Sequence, residues 1–313
     1  MWKRIYDPFR VADASHDWVE RFLPESVRPY ARLARIDRPI GTWLLLLPCW
    51  WSLAMASGVA GTGGPSLWML LLFAVGALSM RGAGCTLNDI ADKEFDARVA
   101  RTQSRPIPSG RVTVLQAWLF LAAQCLIGLL VLLQFNSYTV VVGVCSLGIV
   151  AIYPFMKRIT YWPQFVLGLA FNWGALVGWT AVIGELALPA FLLYAGGIAW
   201  TLAYDTIYAH QDKEDDILIG VKSTALKFGA STPKWLVAFF ASAFFLFAGA
   251  GFAAGAGFAF WLGLAAAALQ AVWQMSVLNI DDPKVCMKLF LSNRDLGLLI
   301  FAGFAVDAIL RAA

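Results

Sequence analysis

The chain has 313 residues, 60% of them hydrophobic and 14% charged, with 14 Trp and 22 Phe. A mean hydropathy of +0.68 excludes an ordinary soluble domain and implies an integral membrane protein. The formal charge is only +4, so no nucleic-acid partner is expected, and the positions of the bases say more than their sum.

Residues 1–38 are polar and amphipathic, with Asp7, Asp13, Asp17, Glu20 and Glu25 among the bases. A transit peptide is poor in acids and a secretory signal has an early apolar core, so neither fits. The segment reads as a cytoplasmic arm on the membrane surface, anchored by Trp2, Trp18, Phe22 and Leu23. Residues 39–313 then form the membrane domain. Apolar runs of spanning length fall at roughly 41–59, 65–87, 112–134, 138–156, 162–183, 187–208, 234–254, 257–278 and 295–312. The expected fold is therefore an all-α bundle of about nine transmembrane helices.

Pro39 opens the first span, where its fixed φ and missing N–H suit a helix start. Arg35 and Arg38, just before it, read first as cytoplasmic anchors. The second span is interrupted by Arg81-Gly82-Ala83-Gly84, and a buried Arg inside a span is a functional candidate by default. Seven residues later comes Asn88-Asp89-Ile90-Ala91-Asp92-Lys93-Glu94-Phe95-Asp96. At about 100° per residue, Asn88, Asp89, Asp92 and Asp96 fall within roughly 100° of arc, and Glu94 points the other way. A loop with Arg98, Arg101, Arg105 and Arg111 follows, too rich in prolines to be helical throughout.

The fourth span ends in Lys157 and Arg158, and the fifth carries Asn172, either a packing hydrogen bond or a substrate contact. A second acidic cluster, from Asp205 through Asp212 to Asp216, follows the sixth span. If the helix continues, these three lie within about 40° of one another. Lys222, in the Gly220–Gly229 stretch, can donate to phosphate oxygens. That stretch lacks the upstream glycine spacing of a P-loop, so nucleotide binding is rejected. The five cysteines have no C-x-x-C spacing and read as small buried hydrophobes.

Of the 24 bases, 22 lie in five segments: before Thr42, 93–111, 157–158, 213–234 and 284–294. Alternating spans put all five on one side, which the positive-inside rule makes cytoplasmic, and both acidic clusters lie there. Four carboxylates brought together repel by on the order of 4 kcal/mol per pair at an effective dielectric near 20, so they call for divalent cations. Magnesium, held by one or two carboxylates and phosphate oxygens, suits a metal–diphosphate complex. The apolar, aromatic surroundings suit a long hydrocarbon on that diphosphate, and together these point to prenyl transfer. The rival class is an ion-coupled transporter or cation channel, which calls for ionisable residues near the midplane rather than at one boundary.

The Asn88-x-x-x-Asp92-x-x-x-Asp96 pattern, the later Asp212-x-x-x-Asp216 and the nine-span layout resemble the UbiA family of intramembrane aromatic prenyltransferases. Ile36-Asp37-Arg38-Pro39-Ile40-Gly41-Thr42-Trp43, Tyr153-Pro154-Phe155-Met156-Lys157-Arg158 and Asp205-Thr206-Ile207-Tyr208-Ala209-His210-Gln211-Asp212 bring it nearest to the branch acting on 4-hydroxybenzoate. The resemblance covers about residues 32–312. It implies helices around a central cavity open to the cytoplasm. It also implies transfer of a polyprenyl group from its diphosphate to the ring carbon ortho to the hydroxyl of 4-hydroxybenzoate, with Mg²⁺, in ubiquinone biosynthesis. Carried over by position, Asn88, Asp92, Asp96, Asp212 and Asp216 bind metal–diphosphate. Beside them, Arg81, Lys157, Arg158 and Lys222 are expected to neutralise the departing diphosphate, and Asp205 or a neighbouring carboxylate to help deprotonate the phenol. A different aromatic acceptor, or haem, is the alternative within the family. The lack of a transit-like arm favours a bacterial cytoplasmic (inner) membrane, with membrane lipid as the surroundings.

Overall fold

The computed structural model describes residues 18–97, 102–213 and 220–313, the side chains of Phe95 and Asp212 excepted. Every regular element among them is helical. In chain order these are α1 Trp18–Phe22, α2 Arg28–Leu33, α3 Ile40–Ala60, α4 Leu67–Ala91, α5 Lys93–Asp96, α6 Val114–Leu132 and α7 Ser137–Ile159. Then come α8 Pro163–Asn172, α9 Gly174–Ile183, α10 Leu188–Ala209, α11 Thr224–Phe228, α12 Thr232–Ala253, α13 Phe258–Val277 and α14 Pro283–Leu310. Among the described residues eight helical stretches are long and apolar enough to cross a bilayer, with α8 and α9 counted as one and α11 joined to α12. This is the architecture of a multi-pass membrane protein.

The remaining expected span coincides with α10, 22 residues and so about 33 Å long. Thr201, Tyr204, Asp205, Thr206 and Tyr208 dilute its apolar character. The reason lies in where it sits: Leu193, Trp200, Tyr204 and Ile207 are all fully buried. A helix surrounded by other helices need not match lipid. Two other expectations change. The last helix begins at Pro283 rather than near residue 295, because Asp282 caps it by accepting from the Lys284 and Val285 amides. The second span is not interrupted at residues 81–84, since α4 runs unbroken through them.

The chain divides into two compact units, residues 1–42 with 76–130, and residues 43–75 with 131–313. In the first, the polar groups of α4 meet α6. Ser79 donates to the Gln124 carbonyl at 2.7 Å, and Thr86 donates to Gln124 Oε1 at 3.2 Å. Gly82 makes room for this, because a Cβ there would stand 3.1 Å from Ala34 Cβ and 3.3 Å from Gln124 Cδ. Leu33, Ile107, Val112 and Ala117 form a small core that clips the 102–112 loop between α2 and α6.

In the second unit α10 packs on α8, α12 and α14. Trp51 packs against Trp200 and, edge-on, against Phe247, with centroids at 5.0 and 5.4 Å, and its indole donates to the Gly297 carbonyl at 2.7 Å. Asn172 is fully buried and donates to Gly168 O and to Thr201 Oγ1, so it serves packing. Trp200 donates to Asn293, which donates in turn to the Leu289 carbonyl one helical turn back. Arg311, outside the five basic segments, donates to Ala254 O at the α12–α13 turn, where Asp307 accepts from the Gly257 amide.

Candidate active site

The first acidic cluster is built by helix continuity across the end of α4. The Asp92 amide donates to Asn88 O at 2.9 Å and the Asp96 amide to Asp92 O at 2.8 Å, so the four-residue period persists through α5. Burial follows the expected arc: Asp89, Asp92 and Asp96 are 1%, 4% and 7% exposed, while Lys93 and Glu94 face outward. Asn88 is half-buried. Three carboxylates buried on one face, with acid and base exposed on the other, is the reverse of a solvated charge run.

Two arginines answer these carboxylates. Arg35 donates to Asp89 Oδ1 at 2.8 Å, and Arg105 donates to the same oxygen at 3.3 Å and to Asp96 Oδ2 at 2.7 Å. Arg105 is delivered by the loop: its carbonyl accepts from the Ser109 amide and hydroxyl, and Thr102 Oγ1 donates to the Asp96 carbonyl at 2.9 Å. Arg35 is held in the left-handed region at φ 56°, a conformation that costs a non-glycine residue free energy and that surrounding structure must impose. Its second guanidinium nitrogen donates to Arg32 O at 2.8 Å. Arg35 is thus more than an anchor, and Asp89, on the predicted arc but outside the predicted metal set, is the most buried of the four.

Asp89 Oδ2 is buried and accepts no hydrogen bond. An orphaned carboxylate oxygen is expensive unless something cationic or hydrogen-bonding completes it. Burial pushes the Asp96 carboxyl above its ordinary range; Arg105 works against that, and Asp89 and Asp92 add to it. A hard divalent cation satisfies these requirements, since carboxylate oxygens are its ordinary donors. Among the described residues no group of three or more His, Cys, Asp or Glu is placed to hold a metal ion by itself.

Arg81 lies on α4 two turns before Asn88, on the same face. In the second unit, Lys157 and Lys222 are brought together: the Lys222 amide donates to Lys157 O at 2.9 Å and its ammonium to Ile159 O at 3.1 Å. That ammonium also stands 5.6 Å from the Tyr161 ring centroid. Arg158 is exposed beside them. Thr206 and Thr224 share a hydrogen bond of 2.7 Å that ties the start of α11 to α10.

In the second acidic cluster the helical winding changes at His210. α10 ends at Ala209, and His210–Asp212 form a 3₁₀ turn. Asp205 is half-buried on α10. The His210 ring is tied to Thr232 at 3.0 Å. Burial, with Lys213 nearby and opposed by Asp281, pushes the His210 pKa down to about 4, so the ring is neutral near pH 7. Asp216 lies outside the described residues, as do Arg98 and Arg101.

Sequence and structure comparisons agree with this architecture. Residues 45–300 match the family model described as UbiA prenyltransferase family. The mitochondrial 4-hydroxybenzoate polyprenyltransferase of Arabidopsis thaliana is 50% identical over 302 residues, 96% of this chain and 73% of that one. The Homo sapiens protein of the same name is 47% identical, covering 90% of this chain and 76% of its own. Among solved structures, a UbiA homolog from Aeropyrum pernix superposes with a TM-score of 0.70 at 27% identity, covering 83% of this chain and 97% of that one. A UbiA homolog from Archaeoglobus fulgidus bound to GPP and Mg²⁺ shares the fold, with a TM-score of 0.67 at 19% identity over 90% of this chain and 99% of its own.

Proposed function

This chain belongs to the UbiA prenyltransferase family, and we propose that within it the protein transfers a polyprenyl group from polyprenyl diphosphate to 4-hydroxybenzoate. The new bond forms at the ring carbon ortho to the hydroxyl as the allylic C–O bond breaks and diphosphate leaves, and the ortho C–H proton is then lost to restore the aromatic ring, as in ubiquinone biosynthesis. The observation that carries the reading is the buried carboxylate face of Asp89, Asp92 and Asp96, with two arginines paired to Asp89 and Asp96, in a chain otherwise built for lipid. The relatives' shared name supports the choice of acceptor.

In this reading Asn88, Asp92 and Asp96 hold a divalent cation, Mg²⁺, together with the diphosphate. Asp212 and Asp216 take the same role by their matching four-residue spacing. When bound, the cation supplies Lewis-acid stabilisation of charge on the leaving diphosphate. Arg81, Lys157, Arg158 and Lys222 add fixed positive charge for the leaving group, worth most where water is excluded. Asp205 accepts the phenol proton as positive character develops on the allylic carbon, raising the electron density of the ortho carbon. Arg105 and Arg35 pair with Asp96 and Asp89 and hold them in place, so that the face is preformed.

The distribution of Lys and Arg supports a cavity open to the cytoplasm. The chain is a multi-pass membrane protein, and the relatives named above are mitochondrial. The test is turnover of ring-labelled 4-hydroxybenzoate with a polyprenyl diphosphate in solubilised membranes, with Mg²⁺ and with a chelator. Label in an organic-soluble product only with Mg²⁺ is expected. Product with another phenolic acceptor but none with 4-hydroxybenzoate overturns the acceptor, and chelator-insensitive turnover overturns the metal.

A further inference from the structure

We infer that Gly41 is a positioning residue for Arg81, its missing side chain being the seat on which the guanidinium lies. The inference rests on the proposed role of Arg81 at the diphosphate. Gly41 stands in the first turn of α3 and has no positive φ, so no turn requires glycine there. In a helix glycine is less favourable than alanine by about 1 kcal/mol. What occupies its open side is Arg81: a Cβ added to Gly41 would lie 2.7 Å from Nη2, 2.8 Å from Cζ and closer still to Nε.

The kind of neighbour decides the consequence. At Gly263 an added Cβ would meet backbone, with Gly303 Cα at 2.7 Å and the Leu299 carbonyl at 2.8 Å, so that glycine serves helix packing. At Gly41 the three nearest atoms all belong to the end of one long side chain. A methyl group there leaves α3 and α4 in place and drives the guanidinium off its seat. Because guanidinium is planar and donates in a fixed fork, a shift of that size changes which oxygens it can reach. Arg81 shares the face of α4 that carries Asn88, so the displacement is felt at the acidic cluster.

The experiment is a double-mutant cycle on the full-length protein in detergent, with Gly41→Ala, Arg81→Ala and both together. Turnover is measured against polyprenyl diphosphate and against 4-hydroxybenzoate, and folding by size exclusion and thermal melting. Gly41→Ala is expected to fold and to lose about tenfold to hundredfold in kcat/KM for the diphosphate, the scale of one hydrogen bond to a charged group. KM for 4-hydroxybenzoate should stay as in the parent. Arg81→Ala should match that loss, and the double variant should lose no more than either alone.

Losses that multiply overturn the seat, as does parental turnover of Gly41→Ala beside a defective Arg81→Ala. Parental turnover of Arg81→Ala instead removes the diphosphate role and the inference with it. If Gly41→Ala does not fold, recovery of folding in the double variant supports the clash with Arg81, and failure of both assigns Gly41 to packing and overturns the proposal.

Discussion

Two regions of this molecule bury polar groups, and they do so differently. In the second unit Asn172, Thr201, Trp200 and Asn293 are neutral; the donors of Asn172, Trp200 and Asn293 find acceptors on a neighbouring helix or one turn back on their own, and Thr201 donates to the Tyr204 hydroxyl. In the first unit three carboxyl groups, Asp89, Asp92 and Asp96, are buried together, and two arginines pair with Asp89 and Asp96. Neutral pairs of the first kind fix which helices touch, at about 0.6 to 2 kcal/mol each in a membrane. Charges of the second kind are far more costly to bury, and no gain in packing explains three carboxylates on one face. The difference separates architecture from chemistry without reference to any ligand.

The sharpest way to break the contrast is to remove the charges singly. Asp92→Ala and Asp96→Ala are each expected to lower metal-dependent turnover by about a thousandfold, the scale of a lost electrostatic anchor at a developing charge, while their melting temperatures hold or rise. Turnover within about threefold of the parent would place these carboxylates with the neutral, architectural group.

Arg105→Ala tests the other side of the same region. It strands Asp96 and half of the charge on Asp89, so a loss of roughly 2–4 kcal/mol is expected, seen as a lower melting temperature that Mg²⁺ partly restores. Loss of stability without any response to Mg²⁺ would make Arg105 a purely structural counter-ion. In the neutral region, Asn172→Ala should cost about 1 kcal/mol of stability and leave kcat/KM per folded molecule unchanged; a fall in kcat/KM would return Asn172 to the substrate.

How far these regions were legible beforehand differs for physical reasons. The acidic face was legible because a period of 3.6 residues projects Asp89, Asp92 and Asp96 onto one side whatever surrounds them. Arg35 reads from the sequence only as a cytoplasmic anchor, since pairing across 54 positions leaves no local trace and a positive φ on arginine follows from no propensity rule. Arg105 was visible only as one base in a basic loop; the turn pinned by Ser109 and the small core under Ile107 select it. The spans were read to within a few residues where lipid dictates composition. The boundary of α14 was missed because a capping Asp starts a helix well outside the apolar run.

The smallest expected effect concerns His210. Its ring is held near pKa 4 by burial against about 6.5 when unfolded, so the folded state binds the proton more weakly. That contribution to stability is complete above about pH 6.5 and is lost as pH falls towards about 4. His210→Gln, which can keep the bond to Thr232, should flatten the melting temperature against pH in that window. An unchanged slope would assign acid sensitivity to other groups.

The most direct measurement of the central claim is binding of a polyprenyl diphosphate to the parent protein and to Asp92→Asn, each titrated with Mg²⁺ and with chelator present. Tight, Mg²⁺-dependent binding is expected in the parent, and in Asp92→Asn a large loss of that dependence while 4-hydroxybenzoate binding persists. Equal, Mg²⁺-dependent binding by both proteins would contradict the claim.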